Sequence, residues 1–387
     1  MLRNVGSNWV LVLVTIAATY VLTPLTIEAL GEEGYGTWTL ITAITAYIGL
    51  LALGVPMACV RYLAQHVAQR DTQALNAMIG SCAVLYLALG GFAVLVGALL
   101  LPLFGMYDIP AALQTQAPLA FGIMVVYVSA GFIGLLPEGI LFAHHKFVPR
   151  NIVRVGGVLL RLALTIVALK FTSSVVLLAL VQVACLGFDM CATWLIIRRQ
   201  YPEVRLNLRG FNVAMVRQIF SFSMYVVLLN AGARLTFETA PLIIGASLGV
   251  ALIPFYVVPN SLIVYLLDFI IAIGAVVSPM ATRLATQTRR DELRDMFLKW
   301  SKVALSLTIM AGLFLLVLGP RFIGWWIDPS YESSSGPVLQ ILMLSSLVFL
   351  PVRGHRSSPR SLCILLQHLS WPSRLSWPLL RPLAPRL

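Results

Sequence analysis

The chain has 387 residues, of which 59% are hydrophobic and only 11% charged, with a mean hydropathy of +0.90. Soluble domains carry about 25% charge, so these figures exclude a water-soluble globular protein and indicate a polytopic membrane protein. The net charge of +12 would suit a nucleic-acid binder only if the bases were clustered on one soluble face, and they are not.

Apolar stretches of spanning length are predicted at roughly 8–27, 36–58, 77–104, 118–142, 152–169, 175–197, 219–244, 257–279, 303–319 and 338–352. The fold class is therefore all-α, with about ten spans. The first stretch follows Met1-Leu2-Arg3 and is too long for a signal-peptide core, so it is read as an uncleaved span. Residues Glu28 to Gly36 form an acidic connection to the second. His144-His145-Lys146 turns the chain between the fourth and fifth spans. Adjacent histidines point in different directions and no third ligand is near, so a solvated loop is expected and no metal site. A basic link containing Pro202 and Gly210 runs from Arg198 to Arg217, and its part after Gly210 is expected along the membrane surface. Arg283 to Lys302 reads as a short surface helix with Asp291-Glu292 in its first turn. Trp325-Trp326 reads as an interfacial aromatic anchor. Residues 353–387 are rich in Arg, Ser, Pro and Leu without acid or Lys, and read as an aberrant, out-of-frame tail standing where further spans would follow.

Connections on one side hold Arg61 and Arg70; Lys146, Arg150 and Arg154; the Arg198–Arg217 link; and the Arg283–Lys302 link. Those on the other side hold only Lys170 and Arg321. The positive-inside rule then puts the N-terminus in the cytoplasm. The five cysteines, Cys59, Cys82, Cys185, Cys191 and Cys363, show no metal spacing and read as buried thiols.

The chain repeats itself. Pro24, Leu30-Gly31, Tyr35, Pro56-Met57-Ala58, Arg61 and Asp71 recur in order as Pro241, Leu248-Gly249, Tyr256, Pro279-Met280-Ala281, Arg283 and Asp291. Six spans precede the basic junction, so the second copy enters from the same side and the repeat is parallel. Three segments follow: a six-helix lobe at 1–200, an incomplete lobe at 201–352, and the tail at 353–387.

No phosphate-binding Gly-rich loop, HExxH or Gly-x-Ser-x-Gly is present, which argues against an enzyme and implies no cofactor. The informative residues are ionisable groups at membrane depth. Arg161 falls near the middle of the fifth span and shares a face with Arg154 and Gly157. Arg154 is expected to snorkel, and Glu138 to mark a membrane boundary. Asn230, Arg234 and Glu238 form one stripe on the seventh span, either as a self-neutralising pair or as an anion site. Asp189 and Asp268 are candidates for charge pairing or for taking up a proton or Na⁺. Uncharged stripes run through Thr15, Thr19, Thr23 and Thr26, and through Thr42, Thr45, Gly49, Ala52 and Pro56. Such faces serve helix packing or, facing one another across two lobes, a substrate.

At Pro24, Leu30-Gly31, Tyr35-Gly36, Trp38, Leu53-Gly54 and Arg61-Tyr62 the chain resembles bacterial polysaccharide exporters, the O-antigen and lipid-linked oligosaccharide flippases. These share a superfamily with multidrug and toxin extrusion transporters. The resemblance runs from about Asn4 to about Phe349. It implies a two-lobe transporter of twelve to fourteen spans in the bacterial cytoplasmic membrane, moving a polyprenyl-pyrophosphate-linked oligosaccharide by alternating access. The implied partners are the bilayer, that lipid-linked cargo and other polysaccharide assembly proteins, with no nucleic acid. The implied site is a cationic cleft with Arg234 and Arg161 on the pyrophosphate, and Asn230, Thr19, Thr23 and Thr42 on hydroxyls. Ala52 departs from the acid that members often carry before Leu-Gly. The alternatives are a cation-coupled multidrug exporter and, of another class, a membrane-embedded glycan polymerase or glycosyltransferase.

Overall fold

The computed structural model describes residues 2–52, 54–206, 211–220, 239–287 and 289–353. All regular elements there are helical. We number the long helices α1 (Leu2–Gly49), α2 (Val55–Gln69), α3 (Thr72–Leu100), α4 (Gln116–Ala143), α5 (Phe147–Phe171) and α6 (Val175–Gln200). After them come α7 (Ile253–Thr286), α8 (Arg290–Trp326) and α9 (Ser330–Arg353). Helical turns also cover 213–220 and 239–247. Among the described residues, 7 helical segments are long and apolar enough to cross a membrane.

The first of these segments covers two predicted spans. The expected acidic loop at 28–36 is helical except at Gly31, where φ is 69° and ψ 176°. Ser7 bonds to Asn151 at the start of α5. Val60 and Leu63, beyond the far end of α1, approach Gly139 near the end of α4. Both places lie beside the same α4–α5 turn, yet a straight helix of this length would part them by about 80 Å. The chain therefore doubles back at Gly31, and α1 comprises two arms. Its partner in the repeat, Gly249, has φ 96° and ψ 156°. This region of backbone space is essentially closed to residues with a Cβ. The two Leu-Gly steps thus share one local conformation.

The copies differ further on. In the first, the predicted span 36–58 breaks at Gly54 (φ 84°), and Pro56 sits in the first turn of α2, where its missing N–H costs nothing. In the second, α7 runs without interruption past Pro279. The expected surface helix at Arg283–Lys302 is not separate either. From Arg290 onward it is continuous with the span as α8, with Asp291 and Glu292 in the first turn as expected.

Packing divides the described residues into two compact units, one within 1–262 with 319–339, the other within 263–318 with 340–353. In the first, α4 is the central element, in contact with α1, α2, α3 and α6. Its partners approach closely through small residues: Gly90 of α3 lies on Ser129, whose Oγ donates to the Gly90 carbonyl at 2.8 Å, and Gly97 lies on Val125. Lipid supplies no hydrophobic force between helices, so such close contact carries much of the association. Leu40, Ile41, Met78, Ile79, Phe121 and Leu141 are fully buried in its core.

The basic link is held against this core. Asn76 donates to the Glu203 carbonyl at 3.0 Å and accepts from the Arg205 amide at 2.9 Å, and Asn212 N–H donates to Ser81 at 3.1 Å. Ile219 is fully buried, so 213–220 packs on the helical core. His144 is likewise no solvated loop residue. It stacks on Tyr201 at 3.9 Å, and burial holds its pKa below the ordinary value. Cys191 is exposed, while Cys59, Cys82 and Cys185 are buried as expected. Cys363 and the expected aberrant tail beyond Arg353 lie outside the described residues. In the second unit, Gln340 of α9 donates to the Leu316 carbonyl of α8 at 3.1 Å.

Gly31→Ala is expected to lower stability by about 1–3 kcal/mol. Gly49→Ala, where a Cβ meets nothing within 4 Å, should be neutral. Thermal unfolding of the two purified variants checks the contrast.

Candidate functional site

The α4–α5 hairpin brings charges together because residues equally far from its turn face one another. Glu138 precedes the turn by about as many residues as Arg150 and Arg154 follow it. Arg154 grips the Glu138 carboxylate with both ends of its fork, Nη2 at 3.0 and 2.9 Å and Nε at 3.3 Å, and Arg150 Nη2 adds a bond of 3.1 Å. Side-chain exposures are 20% for Arg150, 24% for Glu138 and 42% for Arg154. Glu138 is thus the hub of an ion-pair cluster and no simple boundary residue, and Arg154 is paired and does not merely snorkel. Two guanidiniums on one carboxylate leave a positive residue of charge at the Arg154 end.

Higher in the bundle, Asp189 of α6 lies directly on Gly157 of α5, so that a Cβ at that glycine would overlap its carboxylate. Asp189 Oδ1 is buried and accepts no hydrogen bond among the described residues. Gly157 stands between Arg154 and Arg161 on one α5 face, and Asp189 lies against it there. Arg161 is about 21 Å along α5 from its start, which is near mid-bundle. Among the described residues it has no ion pair within 4.0 Å. The result is a ladder of charge from the α4–α5 turn to mid-depth, with three guanidiniums against two carboxylates.

The remaining predicted residues are dispersed. Thr19, Thr23 and Thr42 donate their hydroxyls back to the carbonyls of Thr15, Thr19 and Thr39 at 2.9 Å. They keep only acceptor capacity for a ligand. Thr23 and Thr26 are buried, whereas Thr42 is half-buried and a Cβ on Gly49 would meet open space, so the second stripe is partly open. Asp268 is exposed on α7, in the second unit. Asn230, Arg234 and Glu238 lie outside the described residues. Trp325 is 77% exposed and suits an anchor, but Trp326 is 6% exposed and packs inside the protein.

Sequence reasoning found the α5 stripe but missed Glu138 as its partner. The missing signal was mirror symmetry about the short His144-His145-Lys146 turn. Gly157→Ala is expected to displace Asp189 and destabilise the chain, and Asp189→Ala in the same protein should restore most of the loss. Unfolding midpoints of the single and double variants check this.

A family model described as polysaccharide biosynthesis protein matches residues 1–285. The fold is similar to an inward-facing multidrug resistance MATE family transporter of the MOP superfamily (TM-score 0.68, 17% identity, 91% of this chain and 86% of that one). It is also similar to a MOP superfamily transporter from Pyrococcus furiosus described by the reverse polarity of its binding pocket (0.65, 16%, 91% and 80%). An outward-facing MATE family transporter gives 0.64, 16%, 91% and 80%. No curated protein matches the sequence. The helical fold is similar to those of these transporters, and with nearly three quarters of its length matched by the family model, the chain belongs to the polysaccharide biosynthesis protein family.

Proposed function

We propose that the protein is a flippase and no enzyme, moving a polyprenyl-pyrophosphate-linked oligosaccharide across the bacterial cytoplasmic membrane by alternating access, with its N-terminus in the cytoplasm. Segments 1–200 and 201–352 act as the two lobes. Arg161 and Arg234 attract the pyrophosphate, and Asn230, Thr19, Thr23 and Thr42 contact hydroxyls of the sugar or head group. Asp189, Asp268 and Glu238 pair these charges or take up a coupling ion.

One observation carries the proposal: the excess of guanidinium over carboxylate in the α4–α6 ladder, ending on Arg161 without an ion pair among the described residues. An unpaired cation at mid-depth is costly and calls for an anionic partner. A pyrophosphate supplies two adjacent charges of the required sign, and a guanidinium fork matches phosphate oxygens. Family membership supports a glycan as cargo.

A second reading, a multidrug exporter of the same fold, draws support from Asp268, whose exposed carboxylate on α7 suits a cationic cargo. Pocket polarity separates the two, as it is the ground for suggesting a different function for the Pyrococcus furiosus transporter.

Arg161→Ala and Arg234→Ala are each expected to reduce surface glycan export by tenfold or more at normal protein level, with Arg161→Lys partly active. Complementation of an export-deficient strain measures this, and unchanged export in the alanine variants would refute the assignment.

A further inference from the structure

Pro24 lies inside the first arm of α1. Proline has no N–H, so the carbonyl four residues earlier, that of Tyr20, loses its helical donor, and the ring pushes that carbonyl aside. Within an apolar bundle such a carbonyl must find another donor. It finds one far away in sequence: Trp326 Nε1–H, at the end of α8, donates to the Tyr20 carbonyl oxygen at 2.9 Å. The two rings lie face to face, with centroids 5.0 Å apart and planes 1° from parallel. Phe322, one turn earlier on α8, stacks on both, at 6.2 Å from Tyr20 and 6.0 Å from Trp326. All four residues belong to the same compact unit.

The neighbouring Trp325 makes the specificity plain. It is 77% exposed, whereas Trp326 is 6% exposed and is placed with its N–H on one backbone atom. Neighbouring elements of the same unit are also in close contact. Gly36 of α1 lies against the Val250 carbonyl so tightly that a Cβ would overlap it, and Phe255 packs on Tyr331 at 4.6 Å.

We propose that Trp326 is a latch that stands in for the missing proline N–H. Its indole tethers the proline-interrupted arm of α1 to the end of α8. Any rearrangement that draws these elements apart leaves the Tyr20 carbonyl without a donor and unstacks three rings at once. The contact therefore favours the arrangement in which α1 and the end of α8 are joined. This holds whatever cargo the chain carries.

The test uses the full chain purified in detergent, as wild type, Trp326→Phe, Pro24→Ala and the double variant. Phe keeps an aromatic ring on the stack but removes the N–H together with part of the indole's bulk, a loss of packing common to both backgrounds. Ala at position 24 returns a helical donor to the Tyr20 carbonyl. Trp326→Phe is expected to lower the unfolding midpoint by about 2–4 °C when Pro24 is present. In the Pro24→Ala background the drop should shrink to half or less. An equal drop in both backgrounds, or none in the first, overturns the latch. Should Pro24→Ala not fold, hydrogen exchange of the amides at residues 21–23 and 25–27 gives a readout from Trp326→Phe alone. Exchange faster by about tenfold supports the latch, and unchanged exchange overturns it.

Discussion

A guanidinium in an apolar bundle is costly without an acceptor to meet it, and for Arg150 and Arg154 that acceptor is Glu138. One carboxylate on α4 takes four hydrogen bonds from Arg150 and Arg154 of α5. Removing Glu138 would leave two like charges facing each other across the turn without their shared partner. The clamp also fixes the rotation of α5 about its axis. With Arg154 held toward α4, helical spacing turns Gly157 to Asp189 and puts Arg161 on the same face two turns above Arg154. The position of Arg161 at mid-depth thus follows from an ion pair about two turns below it.

The bundle around this ladder is built to keep such contacts short. Gly90 and Gly97 let α3 close on α4, and Gly157 lets α6 bring its carboxylate onto α5. The chain doubles back at Gly31 in a conformation that only glycine adopts readily, and Gly249 repeats it in the second copy. A duplicated membrane protein needs its reversals preserved in both copies, because each sets the direction of the span that follows. The interior of the spans is free to diverge, as Pro56 and Pro279 show, the first opening a helix and the second lying within one.

Much of this was legible in the sequence, because lipid imposes simple requirements on it. Apolar length gave the spans, and the recurrence of Leu30-Gly31 as Leu248-Gly249 marked two equivalent turns. The shared face of Arg154, Gly157 and Arg161 followed from helical spacing alone. What stayed hidden depends on partners distant along the chain or across a turn. Glu138 read as a boundary residue because its depth is shallow and its role comes from α5. Trp326 reads as a membrane anchor because it stands beside Trp325 in an apolar stretch, and only the fold sets its N–H on the Tyr20 carbonyl. His144 read as solvated because nothing local shows that Tyr201 comes to lie on it. The acidic stretch at 28–36 read as a loop because its charges suggest exposure, whereas one glycine suffices for the reversal.

The central claim is that the positive charge carried into the bundle is there for an anionic lipid-linked cargo. Reconstitution of the purified chain into liposomes, with a fluorescent polyprenyl-pyrophosphate oligosaccharide in one set and a lipophilic cationic dye in another, tests it most directly. Movement of the pyrophosphate lipid, reduced about tenfold by Arg161→Ala, is the expected result. Movement of the cationic dye alone, unaffected by the loss of Arg161, would contradict it.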